Sequence, residues 1–187
     1  MEDNSEKKSL RNLLLEKRDN TSFDLMKIAS VKMQKKIKKI HAFRNAQKIG
    51  AYYPIGSEIL TQDIIQELLS NGKDVFLPRV IGEKMEFRKI TDFSSLEKGS
   101  FDIMEPKDDC PVDNVLDIII VPTVGISPLG VRLGYGHGYY DRFLVENKTT
   151  TISLTLEKQI VKNIPKSDHD MIIDWIVTED RMFQTQR

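Results

Sequence analysis

The chain has 187 residues, of which 40% are hydrophobic and 30% charged, the balance of one water-soluble globular domain rather than of a disordered or membrane-embedded chain. Lysine plus arginine equals aspartate plus glutamate at 28 each, so no global field draws the molecule to nucleic acid or an anionic membrane, and any anion site has to be local. Cys110 is the single cysteine, which excludes an intrachain disulfide and a cysteine-clustered zinc site. The opening "MEDNSEKKSL" is polar and the apolar runs are short, so the expected address is cytoplasmic.

Taken in chain order, Leu10, Leu13 and Leu14 fall at helical spacing and predict an amphipathic helix from Ser5, its N-cap, to about Lys17. A second helix is predicted from Thr21 or Ser22, with Leu25, Ile28, Ala29, Met33, Ile37 and Ile40 as its apolar side. Lys32, Lys35, Lys36, Lys38 and Lys39 lie opposite that stripe. Without interleaved aromatics they read as a solvated face rather than a nucleic-acid grip.

After Asn45 the texture changes to short apolar runs separated by helical ones. "KIGAYYPI", "TQDIIQELLSNG" and "KDVFLPRV" read as strand, helix and strand, with Gly72 ending the helix. "MEFRKI" alternates as a strand, and "DIIIVPTVGI" is apolar enough to be a central strand buried on both faces. A short helix from about Tyr139, a strand in "TTTISLTL" and a late edge strand in "MIIDWIVTED" complete the reading. The alternation predicts an α/β fold: a three-layer α/β/α single domain over residues 1–187 with a mostly parallel central sheet, expected to act as a monomer.

The stretch Val131–Leu144, "VRLGYGHGYYDRFL", follows the predicted central strand, where open α/β sheets gather their ligands. Gly134, Gly136 and Gly138 permit positive φ and close approach, so successive backbone N–H groups can converge on an anion at the start of the next helix. Arg132 and Arg142 add charge. Asp141 beside an anion site points to an intervening Mg²⁺, since a bare carboxylate there would repel phosphate. The spacing matches neither the dinucleotide fingerprint nor the P-loop.

The string "RLGYGHGYYDRF" resembles the signature of the 5-formyltetrahydrofolate cyclo-ligase family. "KKSLR", "YYPIGSEILTQDII", "VFLPRV", "FDIMEP", "DIIIVPTVGIS" and "IPKSDHDMIID" resemble further family segments in the same order, so the likeness spans nearly the whole chain. The resemblance implies ATP- and Mg²⁺-dependent cyclisation of 5-formyltetrahydrofolate to 5,10-methenyltetrahydrofolate, with release of ADP and phosphate through a phosphorylated formyl oxygen. It implies Lys7 and Arg11, with Lys8 as an alternative, at ATP, together with Arg132, Gly134, Tyr135, Gly136, His137, Gly138, Tyr139 and Tyr140.

It further implies Tyr53, Glu58, Phe101 and Tyr139 at the folate, Asp141 and Asp170 at magnesium, and Arg132 and Tyr140 as the catalytic pair. His137 departs from the family, which usually has glycine or lysine there, so phosphate contact at this position is either lost, replaced by an imidazole donor, or made pH-dependent. Two other readings stay open: a nucleotide- or folate-binding protein of the same fold without turnover, and a sugar-phosphate isomerase-like enzyme that needs no ATP.

Overall fold

The computed structural model describes residues 2–99, 102–165, 167 and 170–186, with side chains from Ser5 onward. The first helix, α1 (Glu2–Asp19), starts before Ser5, which lies inside it rather than at its cap. Leu14 is fully buried, while Leu13 faces solvent.

Helix α2 (Phe23–Ile37) is N-capped by Ser22, whose hydroxyl accepts from the Leu25 N–H. Its buried face is Met26, Ala29, Ser30, Met33, Gln34 and Ile37. Leu25 and Ile28, expected inside, are more than half exposed. Two polar residues account for the offset: Ser30 Oγ accepts from Leu60 N at 3.0 Å and Gln34 Nε2 donates to the Leu60 carbonyl at 3.1 Å, so the buried side is the one that clamps this loop. The lysines opposite are partly structural, since Lys36 Nζ donates to the carbonyls of Thr178 and Glu179 and Lys38 pairs with Glu67.

The short helix α3 (His41–Asn45) leads into β1 (Lys48–Gly50), α4 (Gln62–Ser70) and β2 (Asp74–Ile81), the expected strand–helix–strand unit, with Gly72 at φ 72° closing α4. β3 (Lys84–Ile90) returns antiparallel to β2 from Val75↔Ile90 to Ile81↔Lys84. β4 (Leu96–Lys98) and β5 (Met104–Pro106) form a small separate hairpin. Then come β6 (Ile118–Val121), the β7 (Gly125–Ile126) and β8 (Arg132–Leu133) pair, α5 (Tyr139–Glu146), β9 (Thr150–Leu154), β10 (Trp175–Val177) and β11 (Met182–Gln184).

The seven-stranded sheet runs β11-β10-β9-β6-β1-β2-β3, its five inner strands parallel and both edge strands antiparallel. β6 lies at the centre with all four residues buried, as its composition requires. β10 is paired on both sides, so the expected late edge strand is interior and the three-residue β11 is the edge.

Alternate side chains feed two cores on opposite faces. Ile118 and Ile120 of β6 join Met33, Ile37, Ile64, Ile65 and Leu68 from α2 and α4, whereas Ile119 and Val121 join Phe143 and Leu144 from α5. The layers are therefore α/β/α. A third, smaller core docks α1 through Leu14 onto Val124, Val131, Leu133 and Ile164. No helix among the described residues is long and apolar enough to cross a membrane.

Candidate active site

β1 connects to β2 through α4 on one face of the sheet, and β6 connects to β9 through α5 on the other. These adjacent parallel strands therefore diverge at their carboxyl ends, opening the crevice that such a topological switch creates. A cavity of about 570 Å³ occupies that place. Its walls are the segment after β1 (Tyr52, Tyr53, Ile55, Glu58), the β2–β3 ribbon, Met104 and Glu105 of β5, and the run from Arg132 to Asp141. Lys7 and Arg11 of α1, with Ser167 and Asp170, complete the lining.

Of the site residues expected from sequence, Lys7, Arg11, Tyr53, Glu58, Arg132, Gly134, Tyr135, Gly136, His137, Gly138, Tyr139, Tyr140, Asp141 and Asp170 line this cavity. Phe101 lies outside the described residues. Lys8 is exposed and takes no part in the lining. Arg142 also lies outside the lining: its guanidinium donates to the His137 and Glu83 carbonyls and sits 5.1 Å from the Tyr139 ring centroid, bracing the loop from without.

Gly136 at φ 104° and Gly138 at φ 70° adopt the left-handed backbone that side chains disfavour, and Gly138 is the N-cap of α5. The loop thus brings the positive end of the α5 dipole to the cavity. Gly134 is needed for space rather than for its dihedral, because a Cβ there would stand 2.6 Å from Arg132 Nη1.

Arg132 is 7% exposed. Its Nη2 donates to Asp141 Oδ2 at 2.8 Å and its Nη1 to the Pro122 carbonyl at 3.2 Å, while Nε has no partner among the described residues. Its guanidinium carbon is 5.8 Å from the Tyr140 ring centroid. The Tyr140 hydroxyl is likewise buried without a partner among those residues, and burial holds its phenol neutral by pushing the pKa far upward. Arg11 Nε donates to the Gly134 carbonyl at 2.7 Å. Lys7 Nζ bonds Asp170 Oδ2 at 2.6 Å and Ser167 Oγ at 2.7 Å.

Glu58 is 4% exposed. Its Oε2 accepts the Ile55 N–H at 2.9 Å and its Oε1 the Tyr135 hydroxyl at 2.8 Å. Burial raises its pKa, opposed by these donors and by the charge of Arg18. Each carboxylate oxygen keeps a lone pair for a ligand donor.

Two carboxylates, Asp141 and Asp170, line the wall, each already ion-paired. Among the described residues no group of three or more histidine, cysteine or acidic side chains is placed to hold a metal. This donor set fits a magnesium that arrives with phosphate oxygens and keeps waters, since such an ion takes one or two carboxylates from the protein.

Sequence reasoning passed over Arg18, Glu105 and Ser167. Arg18 lies seven residues beyond Arg11, two helical turns along the same face, and Glu105 stands inside the "FDIMEP" segment. Cys110 is half-buried with its thiol toward the Ser95 carbonyl, away from the cavity lining.

An open α/β sheet with a glycine-rich loop and a buried carboxylate at its switch point defines a small-molecule cleft. The sequence profile of the 5-formyltetrahydrofolate cyclo-ligase family matches residues 3–179. A probable 5-formyltetrahydrofolate cyclo-ligase of Caenorhabditis elegans is 32% identical over 154 residues, 73% of this chain and 75% of the relative. The mouse 5-formyltetrahydrofolate cyclo-ligase is 29% identical with 95% of each chain covered. The solution structure of Aquifex aeolicus 5,10-methenyltetrahydrofolate synthetase superposes with a TM-score of 0.88 at 31% identity, covering 97% of this chain and 93% of that one. The chain belongs to the 5-formyltetrahydrofolate cyclo-ligase family.

Proposed function

We propose that this protein uses ATP to close 5-formyltetrahydrofolate to 5,10-methenyltetrahydrofolate, releasing ADP and phosphate. One observation carries the reading beyond family membership: the cationic, glycine-lined side and the carboxylate-bearing side share a single cavity, so two ligands meet within it.

A formamide carbon is a weak electrophile and its oxygen a poor leaving group. Transfer of the γ-phosphoryl group to that oxygen corrects both. N10 then attacks the formyl carbon, the C–O bond breaks with departure of phosphate, and the N10 proton is lost to give the methenyl cation. All reacting atoms belong to the substrates, so the protein has to position them and neutralise phosphate charge.

Lys7, Arg11, the 134–138 amides and the α5 N-terminus hold the triphosphate. Arg132, through the Nε that has no partner among the described residues, and the neutral Tyr140 hydroxyl donate to oxygens of the migrating phosphoryl group. Glu58 accepts N–H donors of the pterin edge, and Tyr53 and Tyr139 flank the folate. Asp141 and Asp170 would hold Mg²⁺, which when bound screens the phosphate oxygens from each other and from these carboxylates. Orienting N10 against the activated carbon contributes on the order of 7–11 kcal/mol where an intramolecular geometry is well aligned. The same reading has the protein working as a cytoplasmic monomer.

A spectrophotometric assay for methenyl product tests this. Product should form with ATP and Mg²⁺ and not without them; folate binding without product marks a non-catalytic binder, and isomerase activity without ATP marks the other class.

A further inference from the structure

Arg18 has no part in the reaction as described, yet it is 3% exposed at the last turn of α1. Lys7, Arg11, Leu14 and Arg18 follow one another at spacings of four, three and four, so all lie on the face that α1 turns to the cleft. Arg18 Nη2 donates to the Tyr135 hydroxyl at 2.7 Å and Nε to Ser57 Oγ at 2.9 Å. Ser57 in turn donates to Asp19. The guanidinium carbon stands 5.6 Å from the Tyr135 ring centroid, and Nη1 is buried without a partner among the described residues.

A tyrosine hydroxyl has one hydrogen to give. With Arg18 occupying a lone pair, that hydrogen is committed to Glu58 Oε1. Glu58 also faces the phenols of Tyr52 and Tyr140, and Glu105 and Arg132 share the cavity. Joined to the buried carboxylate through the Tyr135 hydroxyl, the Arg18 charge opposes the effect of burial on Glu58.

We propose that Arg18 is a positioning residue for folate recognition: through the Tyr135 hydroxyl it fixes the orientation of the Glu58 carboxylate and supplies the buried positive charge that keeps it an acceptor. This rests on the reading of Glu58 as the carboxylate that binds the pterin. Loss of Arg18 leaves the Tyr135 hydroxyl free to turn away and Glu58 buried without its cation, so Glu58 protonates at a higher pH and stops accepting from the ligand.

The test is a double-mutant cycle with R18M, E58Q and the pair, reading calorimetric affinity for 5-formyltetrahydrofolate, KM for each substrate and the pH profile of kcat/KM. R18M should weaken folate affinity by about tenfold or more, leave the KM for ATP within about twofold, and move the acidic limb of the profile to higher pH. R18K should recover part of the loss. In an E58Q background R18M should add less than about twofold.

Multiplying effects of R18M and E58Q, or equal rises in KM for both substrates, would overturn the positioning role while leaving the Glu58 reading intact. Unchanged folate affinity in E58Q alone would sink that reading and the inference with it. If R18M does not fold, Y135F deletes only the linking hydroxyl and should show the same non-additivity with E58Q; additive losses there count against the proposal.

Discussion

Arg132 combines two demands that usually conflict. It is buried and engaged on one side by Asp141 and the Pro122 carbonyl, and its Nε has no partner among the described residues. Arg132→Ala should lower kcat by about 10²–10³, the scale seen when one preorganised donor to a developing charge is removed. It should also cost about 1–3 kcal/mol in urea unfolding, because the Pro122 carbonyl loses a donor and Asp141 its cation. Normal turnover in that variant would remove Arg132 from the mechanism.

Glu58 makes the opposite trade. Its folded pKa is raised by burial, so the stability it contributes is full below its unfolded pKa of about 4.3 and is lost as pH rises through the folded value. Glu58→Gln carries no such loss. Its melting temperature should exceed that of the parent by a margin that grows between acid and neutral pH, while folate affinity falls; a margin independent of pH would contradict the assignment. At this scale the chemistry-bearing residues were legible because the glycine–tyrosine string and the ordered segments resemble the family. Arg18 was not legible, because a basic residue in an amphipathic helix looks like a solvated charge until Tyr135 and Ser57 are seen around it.

Among the elements, the glycine loop and α1 depend on close contacts. Gly134 has an ordinary dihedral, yet a Cβ there reaches 2.6 Å from Arg132 Nη1. Gly134→Ala should therefore reproduce much of the Arg132→Ala loss of turnover with circular dichroism unchanged. α1 is anchored chiefly by Leu14 in a small core, and it carries Lys7 and Arg11 to the cavity. Leu14→Ala should cost about 2–5 kcal/mol of local packing, read as a raised KM for ATP and faster amide exchange in α1.

The elements that sequence identified had long periods or strong composition: α4, the β2–β3 ribbon and above all β6. Those it missed or shifted have short or mixed signals. β11 and the β4–β5 hairpin have three-residue strands, and β7 and β8 have two each. α2 buries Ala29, Met33, Ile37 and the following Ile40 as expected, but it also buries Ser30 and Gln34 to hold the Leu60 backbone, so a purely apolar stripe misplaces Leu25 and Ile28.

For the whole molecule, function follows from connectivity. α4 and α5 cover opposite faces, so β1 and β6 part at their carboxyl ends, and residues as distant as Lys7 and Asp170 meet there at 2.6 Å. Composition and periodicity predicted the layers, but this closure depends on strand order, which no local pattern encodes. Binding that joins α1, the loop, Ser167 and Asp170 should stabilise the fold as a unit. Saturating nucleotide with Mg²⁺ at about 100 times Kd should add about 2.7 kcal/mol to unfolding stability, read as a thermal shift that R132A and G134A diminish.

The central claim is that the shared cavity brings the γ-phosphoryl group of ATP to the formyl oxygen. Substrate carrying ¹⁸O in its formyl group tests it most directly. After turnover the label should be found in the released phosphate; label appearing in water, with none in phosphate, would contradict the account.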